Sequence, residues 1–271
     1  MYSLKSITVL ALSQGALLVA AGCGDNPSLS NGYNSVDVNG QSRDYILQLP
    51  DNYSPNTRHR LVIGYHWRDG TMDNVAEGGF YGLSYLSAGD PTVFIAPQGF
   101  NNGWANTNGE DIAFTDALLE TIQSDLCIDE DRIFATGWSW GGGMSYSAAC
   151  SRPEVFRAVA VLSGAEISGC DGGNTPVAYL GQHGISDSVL PIDLGRTLRD
   201  HFVQLNGCDA AIPEEPTPGS GTHTVTDYTG CSEGHPVQWV AFDGDHVPTP
   251  NDAGASESFT PGLIWDFFTQ F

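Results

Sequence analysis

The chain has 271 residues, of which 41% are hydrophobic and 10% aromatic, and its formal net charge is −22. This composition indicates a globular protein and excludes a disordered chain. The negative charge repels phosphate backbones and anionic lipid, so we expect neither nucleic acid nor a membrane surface as a partner. The length fits one large α/β domain or two small ones, and the sequence has no repeat or linker that would divide it.

Residues 1–21 have the pattern of a secretion signal peptide. Lys5 supplies the charged end, residues 7–21 are apolar, and small residues lie at 20–22. The apolar run is too short to span a bilayer with stop-transfer flanks. A competing interpretation is a bacterial lipoprotein in which Cys23 carries lipid, but such sites usually have leucine where this chain has Ala20. We therefore expect a secreted, extracellular protein with a single domain at 22–271.

Strand-like and helical segments alternate along the chain. The predicted strands are a hairpin within 36–50 that turns at Asn39-Gly40, and the segments 61–66, 92–96, 132–136, 158–162, 177–180 and 237–242. The predicted helices are 111–126, 144–150, 194–205 and 259–271, and residues 209–222 have the composition of a surface loop. Such alternation is typical of a mostly parallel sheet with helices on both faces.

A Gly-x-Ser-x-Gly motif occupies residues 137–141, between a predicted strand and a predicted helix. This context is typical of a nucleophile elbow, the tight turn that lifts a serine hydroxyl out of a sheet. Side chains at positions 137 and 141 would collide with the neighbouring strand and helix, which explains the two glycines. Ser139 is therefore the candidate nucleophile of an acyl-transfer reaction.

The acid and the base of such a site follow the serine along the chain, each at the end of a strand. Asp187 follows strand 177–180 and is the candidate acid; Asp193 is the alternative, although we expect it to cap a helix. His246 follows the last strand and is the candidate base. The other histidines fall before the required place (His59, His66, His183), within a helix (His201) or in a predicted loop at the opposite edge of the sheet (His223, His235).

The oxyanion of the reaction needs preorganised N–H donors. We expect one from the backbone of Trp140 and the second from Trp67 or Arg68, in the loop after strand 61–66. Aromatic residues near the same edge suit stacking on a flat aromatic or sugar substrate, although many of them could be core residues. The candidates are Tyr65, Trp67, Trp104, Trp138 and Trp140. Asp245, next to His246, is expected to point to solvent.

Six cysteines in a secreted chain indicate three disulfides, and the absence of a Cys-x-x-Cys pair argues against zinc. The sequence does not determine the pairing. Cys127 and Cys150 end neighbouring helices at one edge of the sheet, and Cys208 and Cys231 bracket a loop there. Our hypothesis is therefore Cys127–Cys150, Cys208–Cys231 and Cys23–Cys170. Asn52 begins a glycosylation sequon that the following Pro55 weakens.

These motifs together resemble the secreted fungal feruloyl esterases of types C and D, in carbohydrate esterase family 1. The resemblance covers nearly the whole chain after the signal. It includes residues 22–24, 38–40, 64–71, 97–99, 102–104, the elbow, 156–161, 163–164, 183–187 and 241–244. Family members often have glycine at the positions of Asp245 and Trp67. The first difference affects the expected pH optimum, and the second affects which amide completes the oxyanion hole.

The resemblance implies an α/β-hydrolase fold and hydrolysis of hydroxycinnamoyl esters, such as feruloyl esters, of plant cell-wall polysaccharide. It carries the catalytic roles to Ser139, Asp187 and His246. We expect a monomer without a cofactor or metal that acts on feruloylated arabinoxylan or pectin fragments. Acetyl xylan esterase and polyester (hydroxybutyrate) depolymerase activities remain open on the same scaffold. A protease lacks support in the sequence, and a non-catalytic carbohydrate-binding protein would have a broken triad.

Overall fold

Within residues 22–271, which the computed structural model describes, nine strands form one sheet. The predicted signal segment, 1–21, lies outside the described residues. The strands are β1 (Gly32–Val38), β2 (Gln41–Gln48), β3 (His59–Tyr65), β4 (Thr92–Pro97), β5 (Ile128–Trp138), β6 (Ala158–Leu162), β7 (Ala178–Gly184), β8 (His223–Asp227) and β9 (Val237–Phe242). Their spatial order is β1-β2-β4-β3-β5-β6-β7-β9-β8. The six central strands, β4, β3, β5, β6, β7 and β9, pair in parallel. Strands β1, β2 and β8 pair with their neighbours in the antiparallel direction.

The central strands are buried on both faces. Every residue of β3, β4, β6 and β7 is buried, as the continuous apolar runs of the sequence predict for a parallel sheet. The first hairpin turns at Asn39 and Gly40, whose φ angles of 55° and 82° match the left-handed conformation that this dipeptide favours. The mostly parallel α/β architecture predicted from the sequence is therefore confirmed.

Six α-helices cover the two faces of the sheet within the described part of the chain. They are α1 (Met72–Glu77), α2 (Leu83–Leu86), α3 (Glu110–Asp125), α4 (Trp140–Ser151), α5 (Ile192–Leu205) and α6 (Thr260–Thr269). Helices α3, α4 and α5 pack with Leu61 and Ile63 on one face, whereas α1, α2 and α6 pack with Val62 on the other. None of the helices in residues 22–271 is both long enough and apolar enough to cross a lipid bilayer.

Strand β8 is a difference from the sequence prediction. Residues 223–227 pair antiparallel with β9, and His223 lies opposite Phe242, the last residue of that strand. The prediction that His223 lies at the opposite edge is therefore wrong, because the strand runs back from the edge where the parallel strands end. No residue of β8 is fully buried, so the strand lacks the apolar signal of the central strands. The short helices α1 and α2 were also not predicted.

Two of the three predicted disulfides are wrong. The structure joins Cys23 to Cys127 and Cys150 to Cys170, in place of Cys127–Cys150 and Cys23–Cys170. The third bond joins Cys208 and Cys231, as predicted.

The course of two connecting segments explains the correct pairing. The N-terminal segment lies against the end of α3, where the N–H of Gly22 donates to the carbonyl of Gln123 at 3.0 Å. The segment after β6 descends along α4, so that the N–H of Gly173 donates to the carbonyl of Cys150 at 3.1 Å. These two segments bring Cys23 and Cys170 to different helix ends. The prediction considered only which helix ends lie close together, and it therefore missed the course of these two segments.

Candidate active site

Ser139 occupies a strained turn between β5 and α4. Its φ of 58° and ψ of −117° lie outside the regions that L-residues usually adopt, which is typical of functional positions. A Cβ atom at position 137 would lie 2.4 Å from the carbonyl of Gly141, and one at position 141 would lie 2.1 Å from the carbonyl of Tyr65. The steric reason given for both glycines therefore holds. The N–H of Ser139 donates to the carbonyl of Leu162 at 2.9 Å, which fixes the turn on the neighbouring strand.

Trp140 begins helix α4 immediately after the serine. The first N–H groups of a helix have no intrahelical acceptor, and the helix dipole places partial positive charge there. The backbone N–H of Trp140 is therefore of the kind that stabilises a developing oxyanion. The indole ring of Trp140 packs on Gly103, where an added Cβ would come within 2.6 Å of the ring. Packing of the ring on this glycine fixes the first residue of the helix.

The loop after β3 is fixed by a buried histidine that the sequence analysis did not select. Nδ1 of His66 donates to the carbonyl of Trp67 at 2.8 Å, and Nε2 accepts the N–H of Gly99 at 2.9 Å. The indole N–H of Trp104 donates to the carbonyl of His66 at 2.7 Å. Burial lowers the pKa of His66 to about 4, although its hydrogen bond to Trp67 opposes that change. A neutral imidazole thus holds the backbone that leads to Trp67 and Arg68.

Asp187 is a fully buried carboxylate with four hydrogen-bond donors. Its Oδ2 atom lies 2.7 Å from Nδ1 of His246 and 3.3 Å from Nε2 of His183. Its Oδ1 atom accepts the N–H groups of Val189 and Leu190 at 2.9 and 2.8 Å. Burial alone would raise the pKa of Asp187, but these hydrogen bonds, first among them that from His183, lower it to about 2. The group is therefore an anion at neutral pH.

His246 lies between Asp187 and the ring of Trp138, whose centroid is 4.8 Å from the imidazole centroid. Its Nε2 atom is buried and has no hydrogen-bond partner among the described residues. Because Asp187 holds the Nδ1 proton, the Nε2 atom of a neutral ring is an acceptor. The arrangement therefore leaves a proton acceptor at the same sheet edge as Ser139.

Asp245 is exposed, as expected, but its carboxylate is engaged in hydrogen bonds. It accepts the N–H of Ser188 at 2.7 Å and the N–H of His246 at 2.8 Å. The hydrogen bond from the backbone of Ser188 is the main cause of the lowered pKa of Asp245. The side chain thus joins the turn that carries Asp187 to the turn that carries His246.

A cavity of about 330 Å³ opens beside Ser139. It is lined by Arg68, Ser139, Trp140, Ile167, Val189 and Leu190. The guanidinium carbon of Arg68 lies 6.0 Å from the centre of a Trp140 ring, so the cationic group borders an otherwise apolar wall. Ile167, Val189 and Leu190 were not selected from the sequence because single aliphatic residues in loops carry no recognisable motif.

Two predicted substrate-binding residues are wrong. Tyr65 and Trp104 are completely buried and therefore unable to touch a substrate. The hydroxyl of Tyr65 hydrogen-bonds to Thr115 at 2.9 Å, and the two aromatic rings meet edge to face with centroids 5.1 Å apart. Trp67 and Trp138 are partly exposed, and their rings also meet, at 5.4 Å.

The alternative acid and one of the other histidines each form an ion pair of their own. Asp193 is exposed in the first turn of α5, where it pairs with Arg196 and is not the N-cap that was expected. His223 pairs with Asp252 at 2.8 Å and stacks on Phe259. Residues 22–271 also bring no three His, Cys, Asp or Glu side chains together in a way that would hold a metal ion.

The chain is similar to a protein-family model and to curated relatives. Residues 99–165, which include the elbow, match the model of the prolyl oligopeptidase family. The chain is 52% identical over 251 residues to feruloyl esterase C of Emericella nidulans, which covers 91% of this chain and 90% of that protein. It is 44% identical over 282 residues to feruloyl esterase D of Neurospora crassa, and this alignment covers 99% of this chain and 97% of that protein.

Among solved structures, the acetyl xylan esterase from Aspergillus awamori has a TM-score of 0.64 and 16% identity. The superposition covers 88% of this chain and 100% of that chain. At this identity, the likeness bears on the fold alone.

Proposed function

Because the chain belongs to the family of the fungal feruloyl esterases C and D, which are carboxylic ester hydrolases, we propose that it hydrolyses hydroxycinnamoyl esters of plant cell-wall polysaccharide. One observation carries the proposal. A buried, ionised Asp187 holds Nδ1 of His246, at the edge of the sheet where the elbow presents Ser139. This arrangement supports assigning the three residues as a catalytic triad.

The reaction proceeds in two steps. Nε2 of His246 takes the proton of Ser139 as its Oγ attacks the ester carbonyl, and the tetrahedral intermediate collapses when the histidine returns that proton to the leaving alcohol. Water, deprotonated by the same nitrogen, then attacks the acyl-enzyme, and the histidine returns the proton to Oγ of Ser139 as the carboxylic acid leaves. Asp187 stabilises the imidazolium in both steps, and its low pKa keeps it ionised throughout.

Two backbone N–H groups stabilise the oxyanion. One belongs to Trp140, at the start of α4, and the other to Trp67 or Arg68, in the loop that His66 holds. Removal of one such donor typically costs 10²–10³-fold in kcat, roughly 3–4 kcal/mol.

The acyl group occupies the cavity beside Ser139. Its walls combine the indole of Trp140 with the aliphatic side chains of Ile167, Val189 and Leu190, which suits a flat aromatic acid. Its volume of about 330 Å³ falls within the roughly 300–1,000 Å³ typical of small-molecule sites, so it is larger than an acetyl group requires. This size favours a feruloyl substrate over the acetyl xylan esterase alternative.

The physiological substrates are feruloylated arabinoxylan or pectin fragments, and the enzyme acts outside the cell as a monomer. Three disulfides among the described cysteines support an oxidising compartment. Asn52 lies in an exposed turn that a glycosyltransferase could reach. Residues 22–271 form the catalytic domain after removal of the signal.

The test is hydrolysis of methyl ferulate, methyl caffeate, methyl sinapate and an aryl acetate by the purified protein. We expect turnover of the hydroxycinnamates, and cleavage of the acetate alone would refute the feruloyl assignment. His246→Ala should lose about 10⁴-fold or more in kcat, as should Ser139→Ala. His223→Ala is the matched control, because this histidine lies at the same sheet edge but pairs with Asp252. Full activity in Ser139→Ala would refute the mechanism.

A further inference from the structure

A second cavity, also of about 330 Å³, lies between helix α1 and the segment that follows His246. It shares no lining residue with the cavity beside Ser139. Its principal apolar and polar lining residues are Trp67, Tyr81, Pro261, Asn74, Thr249 and Ser258. Aromatic and proline rings combined with amide and hydroxyl groups suit a sugar, whose C–H faces are apolar and whose edges carry hydroxyls.

Aromatic contacts connect this cavity to the base. The ring of Trp67, which lines the cavity, meets the ring of Trp138 at 5.4 Å, and Trp138 meets the imidazole of His246 at 4.8 Å. Pro248, two residues after the base, forms part of the opposite wall. The wall of the cavity is therefore linked to the group that protonates the leaving oxygen by the ring of Trp138 and by the short segment from His246 to Pro248.

We propose that this second cavity binds the sugar that leaves as the alcohol. The general acid must lie against the leaving oxygen, so the alcohol portion of the ester must extend along the side of the site where His246 lies. The acyl portion is joined to the other side of the carbonyl carbon and enters the cavity beside Ser139. The inference rests on the proposed esterase function and assigns to it the site for its second product.

The walls of the second cavity are fixed before a ligand binds. The amide N–H of buried Gln182 donates to the carbonyl of Pro248 at 3.3 Å, and its oxygen accepts the hydroxyl of Thr260 at 2.8 Å. The hydroxyl of Ser258 donates to the carbonyl of Pro250 at 2.7 Å. On the other wall, Oδ1 of Asn74 accepts the N–H of Thr71, which leaves the NH₂ group of Asn74 to donate to a sugar hydroxyl. Preformed walls reduce the entropy lost on binding.

The test places a side chain in the cavity. Gly78 lines it with a φ of −77° and a ψ of 10°, which any L-residue adopts, and an added Cβ would lie 3.1 Å from the carbonyl of Asn74. The φ and ψ angles at position 78 therefore permit leucine, whose side chain would occupy space in the cavity, and the carbonyl of Asn74 must shift by a few tenths of an ångström to accept the Cβ atom. Gly262→Leu is the matched control, because position 262 is exposed near Pro261 and has nothing within 4 Å of an added Cβ.

The readout is a ratio of kcat/KM values for two esters of the same acid. The first is an oligosaccharide that carries ferulate on an arabinofuranosyl residue, and the second is methyl ferulate. In Gly78→Leu we expect this ratio to fall about tenfold, mainly through KM of the oligosaccharide ester, whereas Gly262→Leu keeps the ratio of the unmodified protein. Thr249→Trp, at an exposed lining position, is the second variant should Gly78→Leu not fold.

Two outcomes would overturn the proposal. An equal loss on both esters would place the acyl group in this cavity, and an unchanged ratio in both folded variants would leave the cavity without a role in substrate binding. Failure of the proposed function gives a different result, because the unmodified protein would then cleave neither ferulate ester. The ratio would in that case be measured with an acetylated xylo-oligosaccharide and an aryl acetate, the two acetyl counterparts.

Discussion

Nε2 of His183 lies 3.3 Å from Oδ2 of Asp187, and both side chains are buried. The same nitrogen lies 2.7 Å from the carbonyl oxygen of Leu190, which lines the cavity beside Ser139. His183 therefore joins the carboxylate that holds His246 to the wall of the cavity assigned to the acyl group. A disturbance of this imidazole should affect both the orientation of the base and the shape of the cavity.

Gly195→Ala should disturb His183 from the helix that packs on it. A Cβ atom at position 195 would lie 2.2 Å from Nδ1 of His183, a distance that the buried ring has no room to relieve. In an ordinary helix interior the change from glycine to alanine stabilises by about 1 kcal/mol. Here we expect a loss of about 1–3 kcal/mol from overpacking, and a lower kcat on methyl ferulate. Thermal unfolding and steady-state kinetics measure both effects.

The control for Gly195→Ala is Gly262→Ala in helix α6. An added Cβ at position 262 meets nothing within 4 Å, so the substitution should leave kcat unchanged and keep or raise the melting temperature. Equal melting temperatures and kcat values for the two variants would show that His183 does not position Asp187.

The sequence predicted those parts of the site that follow from strand ends. Ser139, Asp187 and His246 each lie just after a parallel strand, and parallel strands end at one edge, so their proximity could be expected from order alone. Side-chain direction was not accessible in this way. Tyr65 ends β3 with its ring in the layer of α3, and Trp104 packs on that ring.

Individual side-chain hydrogen bonds and the paths of irregular segments were equally invisible in the sequence. The roles of His66 and His183 depend on hydrogen bonds to the carbonyls of Trp67 and Leu190, and no periodicity encodes such bonds. The disulfide pairing depended on the course of the segment that starts at Gly22 and of the segment between β6 and Gly173. Both segments are irregular, so local sequence patterns do not determine where they run.

Burial of neutral His66 makes stability depend on pH. Its pKa of about 4 is lower than the value near 6.5 expected in the unfolded chain. The unfolded state therefore binds the proton first, and the stabilisation is complete above about pH 6.5 and is lost as the pH falls towards 4. The loss amounts to roughly 3 kcal/mol at most. Protonation would also remove the Nε2 acceptor that the N–H of Gly99 uses.

A comparison with His66→Gln isolates this effect. Acidic side chains titrate in both proteins, so their contribution cancels in the difference between the two free energies of unfolding. We expect urea titrations to give a difference that is large at pH 7 and shrinks by roughly 3 kcal/mol at pH 4. Parallel pH dependence of the two proteins would contradict the assignment of this loss to His66.

Tyr81→Phe should weaken the link between the two loops to which we assign the oxyanion donors. The hydroxyl of Tyr81 donates to the carbonyl of Tyr65 at 2.6 Å and accepts the N–H of Trp138 at 3.2 Å. Burial raises the pKa of Tyr81, so the hydroxyl keeps its proton and continues to donate. The phenylalanine variant removes the hydroxyl that bonds to these two backbone groups, at a cost of about 1–3 kcal/mol. We also expect kcat to fall more than KM rises, because the change shifts transition-state contacts.

Tyr85→Phe is the matched control for this prediction. The Tyr85 side chain is 70% exposed, and its hydroxyl makes one long bond to the carbonyl of Glu77 at 3.3 Å. Its loss should change the free energy of unfolding by less than about 0.5 kcal/mol. If chemical unfolding and kinetics gave the same values for both variants, the link through Tyr81 would have no energetic role.

Loss of the Cys23–Cys127 disulfide should destabilise the protein more than loss of Cys208–Cys231. The two bonds close loops with sequence separations of 104 and 23 residues, and the entropy that a cross-link removes from the unfolded chain grows with loop length. The chain-entropy relation gives about 5 kcal/mol for the longer loop and about 3 kcal/mol for the shorter one.

We expect the double variants Cys23→Ser/Cys127→Ser and Cys208→Ser/Cys231→Ser to differ in this order in urea unfolding. Because Cys127 follows α3 at the edge opposite Ser139, kcat of the folded first variant should not change. A peptide map of the unreduced protein tests the pairing itself, and a fragment joining Cys127 to Cys150 would contradict both the pairing and the predicted order of stabilities.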